Sequence, residues 1–194
     1  EQGNRVIMNR LVFESDVPIL VGHVQGNPYG GYSGGYKMAA TGITHWRCVA
    51  AHHIPAVMHR PDFTPVSNRT EMRSRMNSIG LHMEKCMGKK FFMCDAVLDT
   101  NARQIAIFSG YGQEIQPLSW AVANQRTYVP WAKRKFDILM FGMPQNFHYG
   151  NGHGTNPILI LQAIAAQIIR HKRVLSENCV VIASSICNGY FHEE

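Results

Sequence analysis

The 194-residue sequence has no CxxC pair, and its five cysteines at 48, 86, 94, 179 and 187 form an odd, scattered set. Neither a disulfide framework nor a zinc ribbon is built that way, and free thiols of this kind point to a reducing cytoplasm. Long apolar runs are also missing. The most apolar stretch, residues 158–169, is interrupted by Gln162 and Gln167 and is too short to span a bilayer, so a soluble protein without a membrane partner is expected. No N-terminal signal pattern, internal repeat or low-complexity segment is visible. Charge is sparse as well, at 16% of residues with a net +6. Lys89-Lys90, Lys133–Lys135 and Arg170–Arg173 are small separate clusters rather than one basic face with interleaved aromatics, which argues against a nucleic-acid partner. They suit helix ends or phosphate contacts instead. Residue 1 is Glu, not a start methionine, and the chain stops just after a strand-like run, so a piece of a longer protein is expected.

What is present is an ordinary apolar fraction of 45%, enough to build a core. Short β-branched or apolar runs predict strands at 17–24, 91–98, 104–110, 136–142 and 179–186. Asp99-Thr100-Asn101 reads as the turn of a hairpin between the second and third of these. Helical patterns fall at about 34–53 with a break, 69–88, 116–126 and 157–173; Asn156 and Pro157 form a start signal for the last. Strands alternating with helices predict an α/β fold, a layered and largely parallel sheet with flanking helices. The proline and basic cluster at 127–135 predict a boundary near Trp131. Residues 1–130 would then be most of a first domain and 131–194 the start of a second α/β domain.

The distinctive stretch is QGNPYGGYSGGYKMAATG, residues 25–42. It follows a strand and opens a helix, a context in which backbone amides and a helix start can hold an anion. The pattern is neither GxGxxG nor GxxxxGK[ST], and a plain tight turn explains the glycines equally well. Lys37 is the unusual residue, because a cation in the first helical turn opposes the local dipole unless an anion or covalent partner compensates. Downstream stand His52 and His53, a pair near a helix end that is more often surface or capping than metal-binding. On one straight helix Lys37 and His53 would lie about 24 Å apart, so a shared site requires the chain to double back, and Thr41-Gly42 offers the place.

At these residues the sequence resembles the nickel-dependent lactate racemase family. VGHVQGNPYGGYSGGYKMAATGI, with its SGGxK core, is similar to that family's strand–loop–helix segment. NRLVFESDVPILVGHV, SNRTEM, CDAVLDTNARQIAIFSGYG and DILMFGMP resemble further family segments in the same order, covering most of the chain. The resemblance implies a nickel-pincer nucleotide as cofactor, anchored covalently on Lys37, with Ser33, Gly34, Gly35 and Gly42 around it. It implies His53, sixteen residues beyond Lys37, as nickel ligand. Imidazole suits a square-planar nickel beside sulfur donors. The implied function is an isomerase, a racemase or epimerase that takes a hydride from the α-carbon of a 2-hydroxy acid and returns it to the other face. The first domain would hold the cofactor and the second would face the substrate, with the remainder of the chain needed for activity.

The sequence also departs from that family. A histidine general base is implied ten residues before the lysine, where Asn27 stands; an amide hydrogen-bonds a hydroxyl but does not take its proton. His23 lies four residues away, on the preceding strand. In the second domain Asn146 replaces an implied aspartate, Asn151 an implied glutamine and Gly154 an implied lysine, with His148 and His153 nearby. Loss of the lysine removes a compact carboxylate-binding charge. Cofactor-holding residues are thus retained while acid–base and substrate residues differ, which points to a 2-hydroxy acid other than lactate. The alternative is a phosphate- or nucleotide-binding α/β module without racemase activity.

Overall fold

In the computed structural model, residues 5–27, 29–58, 70–127, 134–143 and 157–187 are described. The elements of the first unit, Glu1–Val129, run α1 (Arg10–Glu14), β1 (Ile19–Val24), β2 (Gly26–Asn27), β3 (Gly31–Tyr32), α2 (Tyr36–Gly42), α3 (Trp46–Ala50), α4 (Pro55–Met58), α5 (Glu71–Met87), β4 (Phe92–Leu98), β5 (Gln104–Tyr111) and α6 (Gly112–Thr127). The second unit, Pro130–Glu194, contributes β6 (Phe136–Gly142), α7 (Pro157–His171) and β7 (Leu175–Ser184). The fold is therefore α/β, with one mixed sheet, one two-stranded parallel sheet and the short antiparallel pair β2–β3.

Alternation decides the first sheet. Its order is β1-β4-β5, with β1 parallel to β4 from Ile19 opposite Phe92 to Val24 opposite Val97. Strand β4 returns antiparallel as β5 through the Asp99 turn. There the Asp99 carboxylate accepts the N–H groups of Asn101 and Arg103, which fastens the hairpin expected at that position. Leu20, Val24, Met93 and Val97 point to the helices and are buried, while Ile19, Val21, Ile105 and Ile107 lie on the exposed opposite face.

The core sits between this sheet and α2, α5 and α6. Tyr36, Ala39, Met83, Phe91, Met93 and Ile115 form one buried cluster, and Ala40, Val57, Met72 and Met76 another. Full burial of each large apolar side chain stabilises the fold by about 1.5–3 kcal/mol. Helix α5 starts on a Thr70 side chain that accepts the N–H of Arg73, and it stops at Gly88 in the left-handed conformation (φ 67°). Close helix contact depends on Gly80, where a Cβ would stand 2.3 Å from Cδ1 of Tyr36. Tyr36 also donates its hydroxyl to Glu84, whose other oxygen accepts the N–H of Phe91. Helix α2, helix α5 and the start of β4 are thereby joined by one buried carboxylate.

Helix α6 begins at Gly112, earlier than the sequence pattern suggests, and carries Pro117 inside it. As the sixth residue of the helix, Pro117 lies past the first four N–H groups and removes one intrahelical bond, to the Gln113 carbonyl.

In the second unit β6 and β7 pair in parallel, connected through α7, whose Ile160 and Ala163 pack with Met143. Strand β7 starts at Leu175, ahead of the expected 179, because Leu175 already pairs with Phe136 before a register shift. Asn156 and Trp131 lie outside the described residues. Among the described residues, no helix is long and apolar enough to cross a membrane.

Candidate functional site

The glycine-rich loop is built from the strands on either side of it. Asn27 closes it as a turn residue, its Oδ1 accepting the N–H groups of Tyr29 (3.0 Å) and Gly30 (2.8 Å). Ser33 fixes the next segment. Its hydroxyl donates to the His23 carbonyl and accepts the Gln25 N–H, while its own N–H donates to the Gln25 carbonyl.

Gly34 and Gly35 then carry the chain into α2 with φ of 75° and 58°. A side chain at either would be strained and would also collide. A Cβ at Gly34 would lie 2.8 Å from the Asp95 carboxylate, and one at Gly35 would lie 2.2 Å from Oε1 of Gln116. The amides expected to face a ligand turn inward. The Gly35 N–H donates to Asp95 Oδ2 at 2.8 Å, and the Tyr36 N–H donates to Gln116 Oε1 at 3.1 Å. Lys37 and Met38 donate their N–H groups to the carbonyls of Gly34 and Gly35. The loop is therefore a rigid mount, with its helix-start donors already satisfied by the protein.

What the mount presents is Lys37. Its side chain is half-buried and its ammonium makes no ion pair among the described residues. Burial pulls its pKa below the usual lysine value, and the Arg73 guanidinium pulls in the same direction.

The break between Lys37 and the histidines is present. Helix α2 ends at Gly42 and α3 starts at Trp46, with His45 as its cap. Glycine freedom does not make this break. Gly42 is exposed, has no positive φ, and a Cβ there would meet nothing within 4 Å. The helix stops instead at Ile43 (φ −128°), with the Thr44 hydroxyl donating to the Ala40 carbonyl and Thr44 bridging to Met8.

Beyond α3 the two histidines separate in character. His52 is 1% exposed, and neither ring nitrogen makes a hydrogen bond among the described residues. Its pKa is lowered to about 4, first by burial and then by His53; the Ala40 backbone opposes the shift, and Arg75 and Lys37 add smaller lowering contributions. It is neutral at physiological pH. His53 is exposed, its ring centroid 4.7 Å from that of His52. His53 Nδ1 lies 2.9 Å from the Val49 carbonyl, so Nδ1 carries the proton and Nε2 presents a lone pair outward. That is the arrangement in which a backbone carbonyl orients a metal-ligating imidazole. His52 also lines a cleft of about 490 Å³ with Cys48, Glu71, Arg75 and His82; neither Lys37 nor His53 borders it.

Asp95, Gln116 and Arg73 were not among the candidates from sequence. Asp95 had a signal, an acid in the middle of the apolar run FFMCDAVL. Arg73 had none, since its burial comes from the packing of α5 under the loop. Asn146, His148, Asn151 and His153 lie outside the described residues. Among the described residues no group of three or more His, Cys, Asp or Glu side chains is placed to hold a metal.

Comparison with known proteins meets this geometry at its centre. The sequence profile of the lactate racemase N-terminal domain matches residues 1–64, a segment that holds Asn27, Ser33, Lys37 and His53. The fold extends the likeness. The lactate racemase apoprotein from Thermoanaerobacterium thermosaccharolyticum matches 95% of the chain with a TM-score of 0.68 at 19% identity. A Thermotoga maritima protein matches 69% with a TM-score of 0.53 at 18% identity. At these identities the likeness establishes the fold. The chain covers 41% and 33% of those two proteins, respectively. No curated protein sequence matches.

Proposed function

We propose that the chain is the cofactor-holding portion of a 2-hydroxy-acid racemase or epimerase that anchors a nickel-pincer nucleotide on Lys37, with His53 as the protein's ligand to nickel. The observation that carries this reading is the loop itself. Asp95 and Gln116 take the helix-start amides, while the Lys37 amine makes no ion pair among the described residues. A noncovalent phosphate cradle would need those amides free.

The donor chemistry fits the cofactor. His53 offers a single imidazole Nε2, its Nδ1–H held by the Val49 carbonyl. A metal here would take one nitrogen from the protein and its other donors from a bound organic group, consistent with nickel beside sulfur. When bound, such a nucleotide supplies a reversible acceptor for the α-hydrogen of a 2-hydroxy acid. The chain's residues then bind and orient. Lys37 would fix the group at the loop, and His53, beyond α3, would hold the metal.

Asn27 favours a substrate or reaction different from lactate racemisation. Its Oδ1 is committed to the loop turn, and an amide does not take a hydroxyl proton. The substrate is accordingly a 2-hydroxy acid other than lactate, handled in the cytoplasm together with the remainder of the protein. The second reading, a nucleotide-binding module without turnover, shares the Asn27 observation but not the inward-turned amides.

The test is nickel content and enantiomer interconversion in the full-length protein made alongside the cofactor-synthesis enzymes. Wild type should retain nickel and racemise at least one member of a 2-hydroxy-acid panel, and His53→Ala should lose nickel. Nucleotide binding that survives Lys37→Ala, without turnover of any 2-hydroxy acid, would establish the module reading instead.

A further inference from the structure

Helix α5 carries a cysteine–histidine pair that the proposed function does not use. His82 and Cys86 lie four residues apart, so their side chains leave the same face of the helix. Cys86 Sγ and His82 Nε2 are 3.5 Å apart, and both residues are exposed. Cys86 is a free thiol. The lysines that follow it are engaged elsewhere. The Lys89 ammonium donates to the Phe13 and Ser15 carbonyls, and the Lys90 ammonium stands 5.0 Å from the Tyr111 ring centroid. Lys85 shares the turn, and as a long exposed side chain it can carry its charge out into water.

The separation of the two donors is the informative quantity. A tetrahedral metal with one thiolate at about 2.3 Å and one imidazole nitrogen at about 2.0–2.1 Å holds sulfur and nitrogen about 3.5 Å apart. A square-planar centre with the same bonds would draw them to about 3.1 Å. The pair stands at the tetrahedral spacing. Its place on the helix adds a second reason. Cys86 lies in the last turn of α5, which ends at Met87, and the carbonyl end of a helix favours a cation. Among the described residues no third His, Cys, Asp or Glu joins the pair. Water therefore fills the remaining positions, and the site is an exchangeable one rather than a closed structural centre.

We propose that Cys86 and His82 form a two-donor site for a thiophilic, tetrahedral cation, Zn2+. On binding, Sγ and Nε2 each form one bond to the metal, and the single proton shared between them leaves to solvent. Nothing is oxidised or reduced. The site shares no residue with the Lys37 and His53 assignment, so the failure of either leaves the other standing.

The experiment is alkylation of the full-length protein, made without the cofactor-synthesis enzymes and fully reduced, with iodoacetamide near neutral pH. Each cysteine is followed by peptide mass mapping, with micromolar Zn2+ or with EDTA. Zn2+ should slow alkylation of Cys86 severalfold, and EDTA should restore the rate. Mg2+, which takes oxygen donors, should leave the rate unchanged. His82→Gln keeps a hydrogen-bond acceptor for the thiol but removes the imidazole nitrogen, so Cys86 should then react equally fast with and without Zn2+. Because His82 is exposed, this variant leaves the core intact. Protection of Cys86 that persists in His82→Gln overturns the proposal, as does a wild-type Cys86 rate that Zn2+ does not change. Equal slowing at the other cysteines would show an adventitious ion only and would overturn it as well.

Discussion

The Gly35 N–H donates to Asp95 Oδ2 at 2.8 Å across sixty residues of sequence, tying the start of helix α2 to the middle strand of the sheet. This bond sets the direction in which Lys37 leaves the loop. Asp95 is fully buried, and burial raises its pKa while the Gly35 N–H and Arg73 oppose the rise. Asp95→Ala removes the acceptor and strands the Gly35 N–H in the interior. The expected loss is about 1–3 kcal/mol in urea unfolding, together with weaker protection of the loop amides in hydrogen exchange.

Glycine substitutions separate the mount from the break. Gly35→Ala places a Cβ against Gln116 at a positive φ and should destabilise the protein by more than about 1 kcal/mol. Gly42→Ala closes a helix in open space and should be neutral or stabilising by up to about 1 kcal/mol. Thermal melts of the two variants side by side check both signs. Equal destabilisation would mean that Gly42 has a contact the fold does not show.

His52 makes the apoprotein sensitive to acid. Its folded pKa of about 4 lies below the unfolded value of 6.5, so the unfolded chain binds the proton first as pH falls. The contribution from its burial is present above pH 6.5 and is lost as pH drops toward 4, at about 1.4 kcal/mol per pH unit at most. Urea midpoints measured between pH 7 and pH 4 should therefore fall less steeply for His52→Gln than for wild type. A His52→Gln slope equal to that of wild type would show that other groups carry the acid sensitivity.

Much of this was legible from local pattern. Short apolar runs marked β4 and β6, and the Asp99 turn marked the hairpin between β4 and β5, because each depends on neighbours in sequence. The break after α2 was legible in position but not in cause, since threonine back-bonding and the Met8–Thr44 bridge, not glycine, end that helix. The inward turn of the loop amides was not legible at all. Asp95 and Gln116 reach them across sixty and eighty residues, and no spacing rule reports such a contact. Arg73 escaped notice for the same reason, as a helix-forming arginine looks solvent-exposed until tertiary packing buries it.

The central claim is that Lys37 is a covalent anchor, and the mass of its peptide tests it most directly. The full-length protein is isolated from cells that also make the nickel-pincer nucleotide, digested, and mapped by mass spectrometry. The account predicts a nucleotide-sized adduct on Lys37 that is absent from Lys37→Arg and from protein made without the synthesis enzymes. An unmodified Lys37 in protein purified from cells that demonstrably contain the cofactor would contradict it.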